Sequence, residues 1–100
     1  MKEYDLHDLV YDVREDFQIP PYVNDSTIYR ALSDSAAWAD GLVEPDLDLE
    51  TDKTALELVK NRSYYALNHI LDEFEPAYGS SIRAWQLGME VSEDETDEDP

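Results

Sequence analysis

Apolar residues recur at helical spacing in four stretches of this chain. In residues 4–17, Leu6, Leu9, Val10, Val13 and Phe17 share one side and Asp5, Asp8, Asp12 and Asp16 the other, the pattern of an amphipathic helix. Its early acids suit the positive end of the helix dipole. Ile19-Pro20-Pro21 stops it, since proline has no amide to donate and restricts the residue before it. Tyr4, His7 and Tyr11 form a minor stripe, read as partial burial against a neighbouring helix.

Asn24, Asp25 and Ser26 offer acceptors to the free amides of a second helix over residues 27–40. Ile28, Leu32, Ser35, Ala36, Ala39 and Val43 line its inner face, and Gly41 is its stop. Side chains this small let another helix backbone come close. Trp38 lies off the stripe, beside Ala31, and reads equally as a core lid or an interface anchor.

The longest pattern covers residues 54–74, TALELVKNRSYYALNHILDEF. At 100° per residue, Ala55, Leu56, Val59, Ser63, Ala66, Leu67, Ile70 and Phe74 form one arc, while Glu57, Asn61, Asn68 and Asp72 collect opposite. Leu58, Arg62, Tyr65 and His69 lie on one flank, and Lys60, Tyr64 and Leu71 on the other. The pattern predicts one helix about 35 Å long, apolar or aromatic over roughly twice the 100° arc that a small monomer requires. The excess reads as surface meant for another subunit. Pro76 and Gly79 then mark a turn, Ser80 or Ser81 a cap, and Ile82, Trp85 and Met89 the apolar edge of a short fourth helix ending at Leu87, before Gly88. The expected fold is all-α: a small bundle of about four helices around one long central helix, spanning residues 1–89. Residues 90–100, EVSEDETDEDP, form an acidic C-terminal tail with seven acids and no base, a composition that stays disordered in isolation.

Composition narrows the function. One hundred residues with 42% hydrophobic content make one small domain. Without cysteine there is no disulfide, thiolate metal site or cysteine nucleophile. No apolar run approaches the ~18 residues of a membrane span, and MKEYDLHDL lacks a secretory apolar core, so a soluble protein made inside a cell is expected. Twenty-five acids against seven bases give a net charge of -18, which repels phosphates and argues against an ordinary nucleic-acid-binding module. The acids are spread over the whole chain and lysine occurs only at Lys2, Lys53 and Lys60, a pattern that fits a halophile's protein.

Candidate chemistry is sparse. Asp46, Asp48, Glu50, Asp52, Thr54 and Glu57 have the 1, 3, 5, 7, 9, 12 spacing of a calcium-binding EF-hand loop, but Thr51 stands where the turn needs glycine and Lys53 where an apolar residue is usual. The competing reading is a solvated connector whose last acids cap the helix that follows. No metal is assigned, and no cofactor. His69 has no histidine or cysteine nearby and reads as a packed or hydrogen-bonded residue. Arg62, beside Tyr65 and Leu58, suits a bidentate contact with a carboxylate of the same or the next subunit. Only Gly41, Gly79 and Gly88 occur, so there is neither a phosphate-cradling loop nor a GxSxG elbow, and an enzyme is not expected.

The run LVKNRSYYALNHILDEFEPAYGSSIRAWQ, following a short amphipathic helix, a small-residue helix and an acidic connector, resembles the head-tail connector (adaptor) proteins of tailed viruses. The resemblance covers residues 6–87 and is most specific over 58–85, with a loose residue-level match at Arg62, Tyr65 and Phe74. The acid content departs from the usual bacterial-phage member and fits a tailed virus of a halophilic archaeon. The resemblance implies a helical subunit of a ring, twelve-fold in this family, located in the virion at the head-tail interface after assembly in the host cytoplasm. The ring would bind the portal protein above and a stopper or tail-completion protein below, and would pass genomic DNA without sequence-specific binding and without a membrane. Leu58, Arg62, Tyr64, Tyr65 and Trp85 are the expected subunit-interface residues, and Glu93, Asp94, Glu95 and Asp97 of the tail the expected contacts to the portal or a neighbour. Two other readings stand beside it: an acidic DNA-mimic inhibitor of a DNA-binding enzyme, and a calcium-responsive module using residues 46–57.

Overall fold

A computed structural model describes residues 6–42, 47–49 and 51–87. Within them the chain is all-helical: α1 (Leu6–Asp16), α2 (Asp25–Leu42), α3 (Lys53–Leu67), a single 3₁₀ turn (Leu71–Glu73) and α4 (Phe74–Gln86). The acidic tail, with Glu93, Asp94, Glu95 and Asp97, lies outside the described residues, as do Asp46 and Glu50 of the connector.

The first two helices bury the faces their patterns predict, but α2 starts at Asp25 and runs through Gly41 to Leu42, so Gly41 is not its stop. Leu6, Leu9, Val10 and Val13 of α1 are buried, and so are Ile28, Leu32, Ser35, Ala36 and Ala39 of α2. Small residues at the crossing bring α2 and α3 together as the most extensive helix pair, with Ser35 and Ser63 both fully enclosed. The chain reverses between α1 and α2, so α1 is antiparallel to α2. Arg14 ties the reversal down by donating to the Pro20 carbonyl at 3.0 Å, the Val23 carbonyl at 2.6 Å and Asp25 Oδ1 at 2.7 Å.

The expected long helix over residues 54–74 does not form as one piece. α3 stops at Leu67, where the His69 amide donates to the Ala66 carbonyl at 3.1 Å and the Ile70 amide to the Tyr65 carbonyl at 3.0 Å. This is a Schellman turn with His69 in the left-handed position at φ 61°. Asn68 adds a side-chain bond to the Tyr64 carbonyl at 2.8 Å. Pro76 supplies the physical reason for a break: inside a continuous helix its ring would clash with the carbonyl four residues back, whereas in the first turn of α4 its missing amide costs nothing. The same break corrects the fourth helix. It starts at Phe74 rather than at residue 80, and Gly79 lies within it rather than in a turn. Ile70, expected on the core arc, sits in the turn and is 37% exposed.

α4 folds back antiparallel to α3, joined by Tyr78 Oη to Asn61 Oδ1 at 3.1 Å and Trp85 Nε1 to Asp52 Oδ2 at 2.8 Å. Much of the surplus apolar surface of α3 is therefore covered inside one subunit. Leu58 and Trp85, both expected at a subunit interface, lie in the core, with Phe74 nearly inaccessible beneath them. Leu47 and Leu49 of the connector also plug the core, facing inward on either side of Asp48.

Candidate functional site

Two surface regions gather the residues that carry chemistry. The first surrounds Arg62. Its guanidinium lies 5.1 Å from the centre of the Trp38 ring and donates to Ser35 Oγ at 3.1 Å. No carboxylate among the described residues forms an ion pair with it. Burial pulls its pKa below the ordinary arginine value, against the opposing fields of Asp34 and Glu75, so the charge is held partly dehydrated over an aromatic face. Trp38 meets Phe74 edge-on at 5.5 Å, and Phe74 in turn stacks on Tyr78 at 4.7 Å and receives Tyr65 at 5.5 Å. Trp38 thus acts as a lid on the core and, through Arg62, reaches the surface. Tyr78 is pushed above the usual tyrosine pKa by burial first, then by Tyr65 and Glu57.

The second region is a cleft of about 580 Å³ where α1 and α3 end and α2 begins. Phe17 and Tyr64 stack on each other in its wall, with ring centroids 4.4 Å apart. Ile19, Val23 and Leu67 supply apolar walls, and Gln18, Asn68 and His69 the polar rim. Both helices entering it end in the same way. Gln18 takes φ 51° while the Ile19 amide donates to the Arg14 carbonyl at 3.0 Å, repeating at α1 the turn found at His69. The negative ends of two helix dipoles and the positive end of α2 therefore meet at a cleft of mixed polar and apolar lining. Beside it Tyr22 stands 84% exposed.

Beneath the cleft, Lys60 is 9% exposed and pairs with Asp16 at 2.6 Å, linking α3 to the end of α1. Burial opposes its charge, but the hydrogen bond and field of Asp16, with Glu57 and Asp12, outweigh that penalty and raise its pKa.

Of the calcium-spaced residues in the connector, Asp46 and Glu50 lie outside the described residues. Asp52 caps α3, accepting from the Ala55 amide at 3.0 Å, which is the capping role weighed against calcium. Among the described residues no group of three or more His, Cys, Asp or Glu side chains converges on a metal-sized position. Of the expected interface residues, Arg62, Tyr64 and Tyr65 are half-buried and Leu58 and Trp85 are enclosed; Arg62 and Tyr64 belong to different surface regions. Periodicity along one helix missed the cleft, which is built from three helix ends. Its only trace in the sequence is the Ile19-Pro20-Pro21-Tyr22 run, which forces a reversal and leaves a large aromatic residue in a loop.

Searches against protein-family models, curated proteins and solved structures each returned no match.

Proposed function

We propose that this chain is a structural subunit that assembles head to tail into a ring, serving as the head-tail connector of a tailed virus. The reading rests on the sequence resemblance and on one observation of the fold: large apolar side chains stand exposed at opposite ends of the molecule. Tyr22 is 84% exposed beside the start of α2, and Leu87 is 66% exposed at the end of α4. Gln86 Nε2 donates to the Leu42 carbonyl at 3.2 Å, which places the α4 end at the far end of α2. At 1.5 Å per residue the two ends of α2 are about 27 Å apart. A ring built from identical subunits needs two unlike sticky surfaces on each, placed apart.

Arg62 and Tyr64 keep part of their surface open and remain proposed contacts; the tail acids remain proposed contacts to the portal or a neighbour. A net charge of -18 gives the lumen of such a ring walls along which DNA slides without adhering. The test is co-sedimentation of the purified chain with portal rings from tailed viruses of haloarchaea in high salt. Stoichiometric binding by rings of the chain supports the reading. Failure to bind any portal, together with capture of a DNA-processing enzyme at its DNA site, would replace it with DNA mimicry.

A further inference from the structure

The cleft between the helix ends is a neutral place on an acidic protein. Asp, Glu, Lys and Arg make up 32% of the chain, yet none of them lines the cleft. The charges at its border are paired with one another: Arg14 with Asp25 at 2.7 Å, where α2 begins, and Lys60 with Asp16 at 2.6 Å, where α1 ends. The helix ends that meet there, those of α1 and α3 negative and that of α2 positive, oppose one another in the same way. We infer that this cleft binds a short uncharged peptide segment of another protein, anchored by one apolar or aromatic side chain.

The lining supplies what such a segment needs. Phe17 and Tyr64 form an aromatic wall, and the volume of about 580 Å³ suits a few side chains rather than the whole face of a helix. Three side-chain amides, Gln18, Asn24 and Asn68, stand exposed around it. Each offers a donor and an acceptor together, as a peptide group does. Asn68 gives a donor to the Tyr64 carbonyl at 2.8 Å and keeps its acceptor free for a partner.

Other occupants fit less well. A phosphate or carboxylate calls for cationic donors, and the nearest bases, Arg14 and Lys60, are already committed to Asp25 and Asp16. The chain's own tail, with seven acids over residues 90–100, is disfavoured on the same ground.

The backbone carries a second sign. Gln18 and His69, the non-glycine residues with positive φ among those described, end different helices and meet at this one opening. Glycine would hold that conformation without strain. Strained positions of this kind cluster where proteins bind their ligands, and here each carries a polar side chain. The cleft is complete within one subunit, so the inference does not depend on the ring.

A random peptide library displayed on phage, selected on the immobilised full chain in about 1 M KCl, where the screening length is about 3 Å, tests it. The probe is then the synthetic peptide of the most enriched sequence, its binding followed by chemical shifts of the isotope-labelled chain. Enriched sequences should share an uncharged core with an apolar or aromatic residue and should shift the side-chain amide signals of Gln18, Asn24 and Asn68. Gln18→Gly and His69→Gly should keep or raise the thermal midpoint, since each relieves backbone strain, yet bind the peptide at least about threefold more weakly. Gln18→Glu, which removes a donor and adds a charge to be dehydrated, should bind it at least about tenfold more weakly. A merely structural role for these side chains would move the midpoint and spare the affinity. Selection that enriches no sequence, or only sequences with charged cores, overturns the inference. So do shifts confined to other surfaces, or an unchanged affinity in Gln18→Glu. Cleft signals that shift with the chain's own concentration, without peptide, would assign the cleft to a second copy and overturn it while leaving the ring in place.

Discussion

The Trp85 indole donates to one carboxylate oxygen of Asp52 at 2.8 Å, while the other oxygen of the same group accepts the Ala55 amide at 3.0 Å. One side chain thus caps α3 and fastens the last turns of α4 to it. Asp52→Ala removes the cap, worth about 1 kcal/mol, and strands a buried indole N–H at a cost of about 1–3 kcal/mol. The expected loss is about 2–4 kcal/mol by chemical denaturation. A double-mutant cycle with Trp85→Phe should give a coupling of about 1–2 kcal/mol; additive losses would show that the bond contributes nothing.

The Lys60–Asp16 pair should be asymmetric. Lys60 is 9% exposed, whereas the Asp16 side chain is 51% exposed. Asp16→Ala leaves a nearly buried ammonium without its partner, whereas Lys60→Met keeps the stem packed and leaves a hydrated carboxylate. The first variant should therefore be the less stable of the two, by about 1 kcal/mol or more. Equal losses would contradict the assigned burial.

Two groups set an alkaline limit to stability. Lys60 and Tyr78 both have pKa values raised in the fold. The stabilisation tied to each proton is complete below the unfolded pKa, about 10 for either side chain, and is lost as pH rises through the higher folded value. Stability should fall as pH rises above about 10. Tyr78→Phe and Lys60→Met should each flatten part of that fall in thermal melts across the range. An unchanged slope in both variants would assign the alkaline loss elsewhere.

The inner faces of α1 and α2 were readable because Leu9, Val13, Ile28 and Ala36 obey a local period. The break after Leu67 was not, because Asn68 and His69 are ordinary helix-surface residues by pattern. The device that stops α3 is a left-handed histidine, a conformation usually given to glycine. Pro76 was the available signal, and reading it as a turn put the boundary several residues late. Likewise Leu58 and Trp85 read as surplus surface with one helix over residues 54–74 and only a short helix after it; with α4 starting at Phe74 and folding back along α3, both are core. Leu47 and Leu49 escaped notice because the acids around them matched a cation loop.

The left-handed residues give a prediction of their own. Gln18 and His69 hold φ 51° and 61°, where a side chain costs roughly 1 kcal/mol. Gln18→Gly and His69→Gly should each be neutral or stabilising by about 0.5 kcal/mol after the added freedom of the unfolded chain is counted. His69→Val, β-branched, should lose about 1 kcal/mol. A destabilised His69→Gly would mean that its ring contributes more than its backbone costs.

Tyr65 separates core from interface. Its edge-on contacts with Phe74 and Tyr78, at 5.5 and 5.8 Å, lie within one subunit, so Tyr65→Ala should lower monomer stability by about 3 kcal/mol. Arg62→Met, which keeps the stem over Trp38, should leave stability within about 1 kcal/mol and instead reduce association if that face meets a neighbour. Unchanged association in Arg62→Met would remove this flank from the contact surface.

The proposed ring joins copies of this acidic bundle through unlike ends. The most direct measurement is the light-scattering mass of the unmodified chain across protein concentration, from about 0.1 M to about 1 M KCl, over which the screening length falls from about 10 Å to about 3 Å. A ring-forming subunit should give a closed oligomer at high salt, a fixed multiple of the 11.5 kDa subunit that stops growing with concentration, and should dissociate as salt is withdrawn. A mass of 11.5 kDa under every condition would contradict it.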